Sequence, residues 1–123
     1  MKLAAANTAG YVLIWDIRAG VLLKDFVEPN KQPVCMEWLT GHDVSHDLLL
    51  VLYQPNLMIL WNADTGIKLW KKVFTDPILQ MTIDPFKNSN MTGLSLIYYN
   101  YFALNIVRIG YLFDYKLHHT VFY

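Results

Sequence analysis

Leu57-Met58-Ile59-Leu60-Trp61-Asn62-Ala63-Asp64-Thr65-Gly66-Ile67-Lys68-Leu69-Trp70 is the stretch whose reading decides the fold. Its first five residues are apolar and carry no charge, and Gln54-Pro55-Asn56 bounds them upstream. A short run of this kind suits a strand buried on both faces. Ala63-Asp64-Thr65-Gly66 reads as a tight turn in which glycine supplies a positive φ. Lys68, Lys71 and Lys72 then enter the pattern. Lysine suits an outer strand, because a charged edge resists pairing with other chains.

The same unit stands 46 residues earlier. Tyr11-Val12-Leu13-Ile14-Trp15-Asp16 is followed by Ile17-Arg18-Ala19-Gly20 and then by Val21-Leu22-Leu23-Lys24-Asp25-Phe26. Trp15 aligns with Trp61, Asp16 with Asn62, Gly20 with Gly66 and Leu23 with Leu69. Two more strands are predicted between the units, Val34–Leu39 and Leu48–Tyr53. Another, Ile78–Ile83, follows Asp76-Pro77 and ends before a turn at Asp84-Pro85. No helical period competes with this alternation of short strands and turns.

Four short antiparallel strands per roughly 40–45 residues, closing near Trp-Asp, describe a propeller blade. Trp15-Asp16 and Trp61-Asn62 carry a resemblance to the WD repeats. Asp47–Leu50, Ile59–Gly66, Lys68–Lys72 and Asp84-Pro85-Phe86 narrow it to the N-terminal part of a long, two-propeller member of that family. The resemblance runs over residues 3–87.

It implies an all-β fold, a partial β-propeller of about one and a half to two blades. Blade parts are expected at 1–26 and 33–74, with the first strand of a next blade at 77–84, all inside a unit spanning 1–93. Trp15, Asp16, Gly20, Trp61, Asn62 and Gly66 are then the structural residues of the motif. The function implied is a non-catalytic protein-interaction scaffold. The family member it resembles is associated with vesicle tethering at the trans-Golgi network, cilium formation and Hedgehog signalling. The implied partners are other proteins and the remaining propeller blades, with membrane reached only through those partners. The implied location is the cytoplasm, at the trans-Golgi network, vesicles and the cilium base. No cofactor is expected.

Two departures from the family pattern matter. Many WD repeats place Gly-His before the first strand of a blade, but the loop at 27–32 lacks it, and Gly41-His42 lies after that strand. The blades are therefore expected to depend on apolar packing more than on a buried polar network. The second departure is the stretch 94–123, where the resemblance ends. It holds half of the chain's aromatic residues and only Arg108, Asp114 and Lys116 as charges. Its Ile, Tyr, Asn, Phe, Leu and Lys are read from AU-rich codons, so it reads as translated intron or a frameshifted segment rather than propeller sequence.

Composition narrows the function further. The formal net charge is zero and the isoelectric point about 6.9. No clustered basic face marks a nucleic-acid binder or a membrane-surface patch. Hydrophobic residues make up 54% of the chain and mean hydropathy is +0.24, so much of the sequence must be buried. A single cysteine, Cys35, excludes an internal disulfide and is read as a small core residue. The apolar start Met1–Ala6 is too short for a secretory signal. One blade cannot bury its own faces, so the chain is expected to be marginal without neighbouring blades.

Few residues suggest chemistry. His42-Asp43-Val44-Ser45-His46-Asp47 gathers metal-ligand and triad residue types, but local adjacency and turn-forming Asp and Ser fit a polar loop better. His118-His119 is read as a chance pair. Neither catalytic nor metal residues are assigned. Trp15 and Trp61 are expected to fill space between blades, and Trp70, on the lysine-rich outer strand, is the candidate protein contact. An alternative is a small membrane-associated protein anchored by its aromatic tail, since Leu94–Phe113 is long enough to span. Asn100, Asn105 and Arg108 inside that stretch count against it.

Overall fold

A computed structural model of the chain describes residues 1–39, 47–83, 94–100, 102, 104–109 and 118–122. Only strands and turns occur among them, gathered into three antiparallel sheets. The first sheet has three strands, β1 (Lys2–Ala6), β2 (Tyr11–Asp16) and β3 (Val21–Val27), in that order. The second has four in sequence order, β4 (Pro33–Leu39), β5 (Leu48–Tyr53), β6 (Leu57–Asn62) and β7 (Ile67–Val73). In the third, β8 (Gln80–Ile83) pairs with β9 (Leu94–Tyr99), β9 with β10 (Leu104–Ile109) and β10 with β11 (His118–Phe122).

The internal repeat survives in three dimensions. Lys2 pairs with Asp16 as Leu48 pairs with Asn62, so β1-β2-β3 stands where β5-β6-β7 stands in the second sheet. Both sheets also break register at the same place. The shift falls between Ile14 and Trp15 in one and between Leu60 and Trp61 in the other. A bulge at one repeat position re-aims the same side chain in each sheet, which marks it as part of the unit.

The second sheet lies between the other two and shows why its strands lack alternation. Every residue of β5 and β6 is buried. Leu49, Val51, Tyr53, Leu57, Ile59 and Trp61 point toward the first sheet, where they meet Val12, Ile14 and Phe26. Leu48, Leu50, Leu52, Met58 and Leu60 point the other way, toward Met81 and Tyr98 of the third sheet. Side chains alternate faces along a strand, so a strand covered on both sides must be apolar throughout. Each such Leu or Ile contributes roughly 1.5–3 kcal/mol on burial.

Three of the tail's segments are strands that extend the sheet begun by β8. The stretch Leu94–Phe113, read as long enough to span a membrane, contains β9 and β10. No helix among the described residues is long and apolar enough to cross a membrane.

Candidate functional site

The seam between the first and second sheets holds most of the residues that the sequence singled out. Asp16 and Asn62 close their sheets in the same way. The Asp16 carboxylate accepts hydrogen bonds from the Arg18 and Ala19 amides at 3.0 and 3.2 Å. The Asn62 side-chain oxygen accepts them from Asp64 and Thr65 at 2.9 and 3.3 Å. A short polar side chain reaching two and three residues ahead holds the turn without help from elsewhere. That explains why Asn replaces Asp without loss of geometry. Gly20 and Gly66 complete the turns with φ of 68° and 76°, a region that L side chains rarely adopt. Their amides donate to the Asp16 and Asn62 carbonyls at 2.9 and 2.7 Å.

Trp61 is the centre of the seam. It is 2% exposed, and its indole stacks on Phe26 of the first sheet. Its ring N–H donates to the Tyr53 hydroxyl at 3.0 Å. That bond satisfies the buried indole, so no histidine is needed for it. Burial pushes the Tyr53 phenol up to about 12, against a smaller opposing effect of the Trp61 bond. Trp15 is only half-buried, on the face of the first sheet that carries Leu3, Tyr11, Leu13 and Leu22.

Two ion clusters fasten the seam, and neither was foreseen from the sequence. Glu28, just after β3, is buried, and its carboxylate pairs with Lys68 and, at 3.0 Å, with Lys71. Burial pushes the Glu28 carboxyl up, but the hydrogen bonds from the two lysines outweigh it and hold the group below the usual carboxylate range. Lys68 also lies 5.6 Å from the centre of the Trp61 ring. Lys2 pairs with Asp47 and, at 2.7 Å, with Asp64. Hydrogen bonding to Asp47 and then to Asp64 raises the Lys2 ammonium above its ordinary value. The lysine-rich strand β7 is an outer strand of its sheet, as its lysines suggested. Lys68 and Lys71 also face the first sheet, because they stand opposite Trp61 and Ile59. No local pattern marks Glu28 as their partner, since the pairing spans 40 and 43 residues.

The candidate contact residue Trp70 is corrected. It is 6% exposed and packs with Met58, Leu60 and Phe74 between the second and third sheets. The bulge sets it opposite Leu60, and cross-strand partners share a face, so its ring turns inward. Cys35 is half-buried against that same core, and burial raises its thiol. Of the His42–Asp47 cluster, residues 42–46 lie outside the described residues, and Asp47 is engaged with Lys2. His118 and His119 fall on β11, opposite Ile109 and Arg108. Among the described residues, no three His, Cys, Asp or Glu side chains gather as metal ligands would.

The geometry is that of β-sheets stacked face to face around repeated Trp-Asp and Trp-Asn turns. The sequence is 44% identical over 95 residues to WD repeat-containing protein 11 of Mus musculus and of Homo sapiens, and 42% identical over 95 residues to that of Danio rerio. The chain belongs to the WD-repeat proteins. Each of these matches covers 77% of the WD-repeat chain and 8% of the relative, so the chain spans a small part of the length of those relatives. The β-propeller domain of Myceliophteria_thermophila Cps50 (Swd1) shares the fold, with a TM-score of 0.71 at 17% identity, over 98% of the WD-repeat chain and 35% of that chain. No family model matches the sequence.

Proposed function

We propose that the chain is a non-catalytic scaffold that holds other proteins on a WD-repeat propeller. The 44% identity to WD repeat-containing protein 11 carries this reading. Further blades are part of it. On the first sheet Tyr11, Leu13 and Trp15 occupy the repeat positions of Leu57, Ile59 and Trp61, which the preceding sheet covers in the second. Leu3 and Leu22, on that same face, are 50% and 44% exposed. A neighbouring blade covering them would remove that apolar surface from water.

The finer reading follows from the resemblance. The chain acts in vesicle tethering at the trans-Golgi network and in cilium formation and Hedgehog signalling. It works in the cytoplasm, at vesicles and the cilium base, and meets membranes through its partners.

The test is to tag the protein in its own cells, image it against a trans-Golgi marker and score vesicle capture after depletion. Overlap with the marker and loss of capture are the expected results. A signal that never meets the Golgi or cilium base would overturn the tethering reading. Retention in the membrane pellet after carbonate extraction would instead favour the anchored alternative.

A further inference from the structure

Glu28 is the buried charged residue among those described. It sits in the loop at 27–32, where many WD repeats place Gly-His. From there its carboxylate reaches across the seam to two ammonium groups of β7, those of Lys68 and Lys71. Both walls of that seam, the first and second sheets, are in place, so the contact does not wait on a further blade. The two sides of the cluster are unequally exposed. The Glu28 side chain is 7% exposed, whereas those of Lys68 and Lys71 are 40% and 50% exposed. Solvent and reagents reach the cations and not the anion.

We propose that Lys71 is an acylation site, and that loss of its charge loosens the seam between the first and second blades. Lys71 is the lysine more open to a transferring agent. Lys68 is held twice, by Glu28 and over the Trp61 ring, whereas among the described residues Lys71 makes its ionic contact with Glu28 alone. The donor is an acyl thioester. The deprotonated Nζ attacks its carbonyl carbon, a C–N bond forms and the C–S bond breaks. Of the two protons that the ammonium gives up, one leaves with the thiolate as thiol and the other goes to solvent. The product is a neutral amide, and nothing is oxidised or reduced.

The consequence falls on the buried partner. Acylation removes the charge and the salt-bridge donor, so Glu28 is left with Lys68 as its cation. Losing one side of an exposed ion pair matters little. Losing one side of a pair whose other member is buried is costly, because the desolvation of that member is no longer offset. Glu28 recovers hydration only by leaving the seam. Phe26 lies two residues before it on the same chain and stacks on Trp61, so movement of Glu28 pulls on the contact that joins the two blades. The latch lies inside the propeller and acts whichever partner the scaffold carries.

The test compares the 123-residue chain carrying Lys71→Nε-acetyllysine with one carrying Lys72→Nε-acetyllysine, since Lys72 lies instead over the Phe74 ring. Hydrogen exchange of the β3 and β6 amides reads the seam. Acetylation at 71 is expected to speed that exchange about tenfold or more, the scale of a lost hydrogen bond to a charged group. Acetylation at 72, and Lys71→Arg, which keeps the charge, should leave it near the parent. In Glu28→Gln the acetyl group at 71 should add little, because the carboxylate that it strands is gone. Equal acceleration from acetylation at 71 and 72, or a full effect that persists in Glu28→Gln, would overturn the latch. The comparison of 71 with 72 decides even where Glu28→Gln does not fold. Peptide mass spectrometry of the protein isolated from its own cells under deacylase inhibition is expected to find an acyl group on Lys71, and its absence would overturn the assignment of the site. None of these readouts depends on Golgi overlap or vesicle capture, so failure here is told apart from failure of the scaffold reading.

Discussion

Phe26 and Trp61 stack across the two sheets with ring centroids 4.4 Å apart and planes 29° from parallel. They come from different repeats, so the contact measures how firmly one blade is held to the next. Phe26→Ala is expected to destabilise the chain by about 3–5 kcal/mol, as removal of a buried ring does. Trp15→Ala should cost distinctly less, because Trp15 is half-buried. Urea midpoints of the two variants against the parent would check the order. Equal losses would mean that the seam is not where stability resides.

Trp61→Phe keeps a ring against Phe26 but removes the bond to the Tyr53 hydroxyl. A buried hydroxyl left without its partner costs about 1–3 kcal/mol. The Tyr53 phenol, pushed up to about 12, also sets an alkaline limit. The unfolded chain ionises this phenol near 10, before the folded chain does, so stability is lost as pH rises above about 10. A phenolate absorbance titration should show one tyrosine lagging in the parent.

Acid acts through Glu28. Its folded carboxyl lies below the usual range, so the stabilisation it gives is complete above the ordinary carboxylate value and is lost as pH falls through the folded one. Glu28→Gln should lower stability near neutral pH by about 1–3 kcal/mol, in the range of lost hydrogen bonds to charged groups. Thermal midpoints of parent and variant should converge as the pH is lowered. A gap that persists in acid would remove the carboxylate from the explanation.

The turns offer a paired test. Asn62→Asp should change stability little, because Asp16 already makes the same two bonds in the first sheet. Asn62→Ala removes both bonds and is expected to cost about 1 kcal/mol, as loss of a comparable capping side chain does. Gly20→Ala should cost a similar amount from backbone strain only, since nothing lies within 4 Å of the added carbon. Denaturant midpoints would separate the three.

The tail is tested on nucleic acid rather than on protein. Residues 94–123 are expected to be read from an unspliced or shifted frame, although three of their segments form strands. Sequencing of the transcript across codons 93–95 should show that junction. A clean spliced junction reading through to Tyr123 would refute it.

Strand positions were legible because covalent geometry and burial write them locally. Leu48–Tyr53 matches β5 as predicted, and Tyr11–Asp16 matches β2. Gly20, Gly66 and the two short polar side chains before them marked the turns, since those bonds close within four residues. Trp70 was misjudged because lysines at neighbouring positions suggest an exposed strand, and a bulge is needed to know which residues share a face.

By itself, then, the sequence determined that two units repeat at a spacing of 46 residues, that they are strands and turns, and that Trp15 and Trp61 are equivalent. All of this depends on neighbours close along the chain. Tertiary structure alone decided that Trp61 meets Phe26, that Glu28 joins Lys68 and Lys71, and that β1 lies at an edge. Those outcomes depend on which sheet faces which, and a contact across tens of residues leaves no period in the chain for a reader to find.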